Sequence, residues 1–225
     1  TLVDMHISDG ILTPVWCLIW FIIAIIFLVI GINRIRKMDK ENERSYMPIL
    51  ALMGAAVFVI SVWHIPVPVT GSSSHPVGTP MASIIIGPFA SVVITFIILI
   101  IQAFIGHGGL TTLGANTVSM GIVGPFSAYL LFLLFKRLKL PVWTSAGISA
   151  FIGSILVYLT TAFQLALSLN PTSVLSHWLI YSAGYIPTQL PLAIAEFIFT
   201  AGIVEYIYKN KPDLLYFYHN YHKRD

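Results

Sequence analysis

The chain is 225 residues long, about the length of one domain, yet it is 57% hydrophobic and 9% charged, with a mean hydropathy of +0.86. Soluble domains carry roughly a quarter charged residues, so these values exclude that class and indicate an integral membrane protein. The formal net charge of +3 does not point to nucleic acid, because all the Lys and Arg fall in three clusters of the kind that cytoplasmic loops collect.

The first apolar run, about 11–32, is too long for a signal-peptide core and follows an acidic head, Asp4 to Gly10. It reads as a retained transmembrane helix. Its far end meets Arg34, Arg36, Lys37, Lys40 and Arg44, which places that end in the cytoplasm and Met5-His6 outside. A second span, about 46–63, returns the chain to an outer loop rich in Pro, Gly and Ser that carries His75. The next apolar stretch, 81–105, has the length of one span, but that count would leave Lys136, Arg137 and Lys139 outside. A break at Gly87-Pro88 restores the parity. The expectation is therefore an all-α, polytopic protein of seven spans, about 11–32, 46–63, 77–86, 89–105, 116–135, 142–167 and 189–208. Residues 1–212 form one transmembrane substrate-binding domain, with 170–187 a longer outer connection and 213–225 a cytoplasmic tail that is interfacial at most.

The third of these helices is too short to cross about 30 Å of hydrocarbon at 1.5 Å per residue. The loop before it must dip into the protein, and His75 is expected in a recessed position. Small residues line the second and third spans: Ala51, Gly54, Ala55, Ala82, Ser83 and Gly87. Ala51 and Ala55 have the spacing that allows close helix approach. Cys17, the one cysteine, lies in an apolar run and reads as packing.

Of the seven histidines, His6, His64, His75, His107 and His177 fall on the outer side. Without cysteine, a site there has nitrogen and oxygen ligands, and imidazole suits divalent Ni, Cu, Co and Zn. A histidine directly after a chain's first residue can chelate through the terminal amine, its own amide nitrogen and its ring, leaving one planar position for a second imidazole. Among the outer histidines, Met5-His6 and His75 stand out together as candidates for such a site. Four planar nitrogens favour Ni(II) or Cu(II) and accommodate Co(II).

Met5-His6-Ile7-Ser8-Asp9-Gly10, the stretch from Val69 through Ser72-Ser73-Ser74-His75-Pro76-Val77-Gly78-Thr79, and His107-Gly108-Gly109-Leu110-Thr111-Thr112-Leu113-Gly114-Ala115-Asn116 together resemble the CbiM/NikM family. Its members are the substrate-binding components of energy-coupling factor importers for cobalt and nickel. The resemblance implies a seven-helix fold with an extracytoplasmic start and a plasma-membrane location, the C-terminus cytoplasmic. It implies metal held at Met5, His6 and His75, with Co(II) or Ni(II) as transported substrate and no permanently bound cofactor. It also implies a transmembrane coupling subunit, ATP-binding subunits and a small accessory membrane subunit, in a lipid bilayer. The wording of the serine–histidine and His-Gly-Gly motifs is closer to the cobalt branch, whereas planar nitrogen ligation is a nickel preference. In the family the Met is the first residue, so Met5 is expected to become the N-terminus by processing or an in-frame start, with Thr1 to Asp4 an extension in front of it.

His64, His107 and Asn116 are candidates for holding the ligands in place, although His107 reads first as a surface residue. The His-Gly-Gly loop reads either as a turn with Asn116 capping the fifth helix or as direct support of the metal loop. Glu196 and Glu205 are the carboxylates within spans, which makes them functional candidates. Glu205 reaches the interface, and Glu196 either caps a polar network or contacts a coupling subunit. No ATPase motif is present, so the energy comes from other subunits. A serine hydrolase built on Ser72, Ser73 or Ser74 lacks an orienting acid, and few buried ionisable residues and no inverted repeat count against an autonomous ion-coupled carrier.

Overall fold

Pro14 opens the first helix because its missing N–H is one that no first-turn residue needs. The computed structural model describes residues 6–41, 46–62, 65–66 and 73–217, so Met5, His64 and Ser72 lie outside the described residues. Helix α1 (Pro14–Glu41) starts later than the apolar run, since Gly10 takes φ +82° and the chain turns through 10–12. It also outlasts that run by nine residues, as Arg, Lys and Met continue a helix readily. Six further helices follow: α2 (Met47–Ser61), α3 (Thr79–Ile86), α4 (Pro88–Phe104), α5 (Leu113–Arg137), α6 (Val142–Leu169) and α7 (Val174–Asn210). A two-residue antiparallel ladder pairs Ile65 with Ser74 and Pro66 with Ser73.

Of these helices, α1, α5, α6 and α7 are long and apolar enough to cross a membrane, while α2 and α4 are apolar but shorter. Val15, Leu18, Ile22, Ile26 and Val29 on α1 are all more than half exposed. An apolar stripe of that size suits hydrocarbon and not water. The opposite side of α1 packs tightly. A Cβ on Gly114 would lie 2.3 Å from Cα of Phe21, and one on Gly31 would lie 2.6 Å from the carbonyl of Phe89.

The expected break at Gly87-Pro88 is present: Gly87 has φ +88° and ψ 153° between α3 and α4. All eight residues of α3 are buried, and at 1.5 Å per residue it is about 12 Å long. Tyr46 donates its hydroxyl to the Ile86 carbonyl left open by the break, and the ring of Tyr216 lies against Gly87. The segment after Pro212, expected to touch the interface at most, is in part packed into the bundle. Leu215 is fully buried, and Phe217 meets Phe132 edge-on at 4.9 Å.

The expected outer connection 170–187 is a correction. Only a short turn separates α6 from α7, which starts at Val174 and contains Pro187 and Pro191. Prolines that read as stops are tolerated inside a helix when neighbouring groups take up the freed carbonyls. Packing explains the early start, since Trp178 donates to the Leu159 carbonyl at 2.9 Å and Tyr181 accepts from Asn170 at 2.8 Å.

Helix α5 changes its winding. Leu113–Asn116 is α-helical, Thr117–Val123 is π-helical, and Gly124–Arg137 is α-helical again. Gly124 donates to Ser119, five residues back. In the same pattern the next donor, residue 125, would serve Met120, but Pro125 has no N–H. The Met120 carbonyl is taken instead by the hydroxyl of Thr79, the first residue of α3.

Candidate metal centre

Ile7 and Leu12 anchor the N-terminal head, both buried beside Ala115, Cys17, Trp20 and Leu165. Around these apolar pegs the polar groups are matched in detail. The N–H of Ile7 donates to Asn116 Oδ1 at 2.9 Å, while Asn116 Nδ2, at 3.2 Å, and the Thr112 hydroxyl donate to the Ile7 carbonyl. Asn116 thus treats Ile7 as a neighbouring strand would, bonding both its amide and its carbonyl. It is not the cap of the fifth helix, a role whose position belongs to Thr112.

The His-Gly-Gly loop closes over the same head. The Asp9 carboxylate accepts from the N–H of Leu110 at 3.3 Å and from the N–H and hydroxyl of Thr111. The Thr111 hydroxyl, with the Thr111 and Leu110 amides, holds the Asp9 carboxyl below its ordinary value of 3.8 despite partial burial. Gly108, at φ +89°, and Gly109 permit the approach: a Cβ on the first would meet His6 Cβ at 2.8 Å, and one on the second would meet Asp9 N at 2.5 Å. The loop therefore supports the His6 side of the site. His107 is half-buried next to Gly108, with its main-chain N–H donating to Gln102.

The second half of the site is the loop entering α3. Its grip comes from α6 and α7. Ser74 donates to Thr188 Oγ1 at 2.8 Å and accepts from Gln189 Nε2 at 2.7 Å. Tyr158 donates to the His75 carbonyl at 2.8 Å, and the Val77 N–H donates to Glu196 Oε1. Ser154 also donates to that oxygen, at 3.1 Å. Glu196 caps a polar network, one of its two expected roles. Glu205 forms a half-exposed i,i+4 pair with Lys209 at 3.1 Å, of the kind that contributes little.

These supports bring His6 and His75 together. Their rings stack with centroids 4.9 Å apart and planes inclined by 23°, and each residue is about 1% exposed. His75 Nδ1 lies 2.8 Å from the Pro76 carbonyl. A carbonyl only accepts, so Nδ1 carries the proton and Nε2 keeps the lone pair that a metal takes. Among the described residues no group of three or more His, Cys, Asp or Glu gathers as a metal cluster. The described ligand candidates are the two imidazoles, and any further donors must come from main chain or from outside this set. Ser74 is engaged by Thr188 and Gln189, not by an imidazole, an arrangement unlike a nucleophile–base pair.

Sequence reasoning found both histidines but missed Ile7, Thr112, Tyr158 and Gln189, and the part Asp9 plays in holding the loop. The available signal was the matching of a polar hexapeptide with a glycine-rich loop, since two such segments dock closely only where side chains are small.

The model of the family described as "Cobalt uptake substrate-specific transmembrane region", CbiM, matches residues 6–214. The chain is 42% identical to the cobalt transport protein CbiM of Geobacter sulfurreducens, over 94% of this chain and 61% of that one. It is 40% identical to the CbiM of Sorangium cellulosum, over 94% of each chain, and 42% identical to a putative cobalt transport protein CbiM 2 of Methanosarcina barkeri, over 94% and 92%. A crystal structure of a transition metal transporter superposes with a TM-score of 0.78 at 27% identity, over 98% of this chain and 99% of the other.

Proposed function

Since the chain belongs to the CbiM family, we propose that it is the substrate-specific membrane component of an ATP-driven importer of the energy-coupling factor type, capturing Co(II) at the extracytoplasmic face. The observation that carries this reading is the buried stack of His6 on His75, two imidazoles carried by segments whose neighbouring residues Ile7, Asp9, Ser74 and Val77 are held by hydrogen bonds. The proposed ligands are His6, His75 and the main-chain nitrogens of Met5 and His6, with the ion as cargo. Its relatives are named as transport proteins and not as enzymes, and ATP hydrolysis is assigned to partner subunits, working through a coupling subunit and a small accessory membrane subunit.

The orientation follows from charge. The metal site gathers the start of α1, the start of α5 and the end of α6, through Thr13, Asn116 and Ser168. Lys40, Lys136, Arg137 and Lys209 lie at the far ends of α1, α5 and α7. The positive-inside rule makes that end cytoplasmic. All seven helices are proposed to lie in the bilayer, with the buried α3 as a half-length element below the recessed loop.

His75→Ala in detergent-solubilised protein tests the reading. Metal binding should be abolished while the helical content is retained, and unchanged affinity would refute the site. Ni(II) is the competing cargo, because an all-nitrogen donor set favours it, and direct competition of Co(II) with Ni(II) for the purified protein separates the two.

A further inference from the structure

We infer that Glu196 is a positioning residue for the metal loop, acting by the reach of its acceptor oxygen and not by its charge. The inference rests on the metal-binding reading above. Three supports hold consecutive parts of the loop: Thr188 and Gln189 at Ser74, Tyr158 at the His75 carbonyl, and Glu196 at Val77 N–H. Thr188 and Gln189 act just before His75 and Tyr158 acts on its carbonyl. Glu196 takes the first free amide beyond it, ahead of the Thr79 hydroxyl that ties the start of α3 to Met120.

Gly78 takes φ +67° and enters α3 at once, so the Val77 amide stands where loop becomes helix. Val77 itself is fully buried. Its N–H has no access to water, and an unmatched buried amide is costly. One oxygen, Oε1, meets both this amide and the Ser154 hydroxyl. It thereby ties the loop to α6 as well as to its own helix α7. The other oxygen, Oε2, is buried and meets no hydrogen-bond partner of good geometry among the described residues, although the Gly78 amide also faces the carboxyl group. The contacts that hold the loop therefore converge on one acceptor at the end of a side chain of a certain length.

The consequence is an inverted ranking of two conservative changes. Glu196→Gln removes the charge but keeps an acceptor at the same reach. Glu196→Asp keeps the charge but withdraws the acceptor by one methylene, about 1.3 Å along the chain from ordinary bond lengths. Purified full-length protein is titrated with Ni(II) and with Co(II) against a chelator, and the visible absorption of the bound ion is recorded. Glu196→Gln should bind within about threefold of the unaltered protein with the same absorption bands. Glu196→Asp should bind roughly 10- to 100-fold more weakly, the usual effect of losing a group that orients a ligand, with shifted bands because His75 is no longer held at one angle.

Glu196→Asp with unaltered affinity and bands, even if its thermal stability falls, overturns the inference and leaves the metal reading intact. The opposite ranking, with Gln weak and Asp normal, overturns it in favour of charge. Failure of the unaltered protein to bind either ion removes the metal reading and this inference together, whereas binding that His75→Ala abolishes keeps the two questions separate.

Discussion

Asn116→Ala removes the clamp on the head without touching either histidine. The structure sets its magnitude. Ile7 and Asn116 are 2% and 3% exposed, so water does not replace the lost groups. The Ile7 N–H, at 2.9 Å from Asn116 Oδ1, is left buried without that acceptor, at a cost of about 1–3 kcal/mol. The Ile7 carbonyl loses Nδ2 but keeps the Thr112 hydroxyl, a smaller loss of about 0.5–1 kcal/mol. A combined loss of about 1.5–4 kcal/mol corresponds to roughly 10- to 700-fold in affinity if the head must be seated for metal to bind. Chelator competition with Co(II) measures the affinity, and hydrogen exchange of the peptide containing Ile7 reports seating directly. Asn116→Asp should fall between, since a carboxylate still accepts from the Ile7 N–H but repels its carbonyl. Affinity within threefold of the unaltered protein, with unchanged exchange at Ile7, would refute the clamp.

Gly109→Ala should weaken metal binding more than Gly10→Ala, measured by the same titration. The first places a Cβ 2.5 Å from the Asp9 main chain, whereas the second has open space and bears only the left-handed backbone penalty of about 1–2 kcal/mol. Asp9 sets a pH window. Its folded value lies below 3.8, so its contribution to holding the loop is full above that value and is lost as pH falls through the lower folded one. Exchange protection of Leu110 and Thr111 should hold from pH 7 to 5, and any fall in metal affinity over that range then belongs to protons competing for the ligand nitrogens.

Much of the site was legible because it obeys simple constraints. Charge parity required the break at Gly87-Pro88, the break required a helix too short to span, and the short helix required a recessed His75. What was not legible depends on tertiary context. Pro187 and Pro191 carry the local signature of a loop, and only packing of Trp178 and Tyr181 on α6 makes a helix of that region. Asn116 follows a glycine-rich loop, as a cap would, yet its partner Ile7 is more than a hundred positions away. Glu196 was visible as a carboxylate at membrane depth, but its partner is a main-chain amide, which has no identity in a sequence. The packed Leu215 and Phe217 follow Pro212 in a tyrosine-rich segment whose composition suggests an interface.

The π-wound stretch of α5 makes that helix a ruler. Asn116, just ahead of it, fixes the His6 segment, and Met120, within it, fixes the start of α3 below His75. The interval between the two halves of the site is thus counted in residues of one helix before any ion arrives. Even in ordinary α winding one residue is worth about 1.5 Å and 100°, so inserting or deleting one between these marks would move one half against the other. Metal–ligand distances tolerate about 0.2 Å. Side chains along this interval are open to exchange for others of similar size, but its length is not.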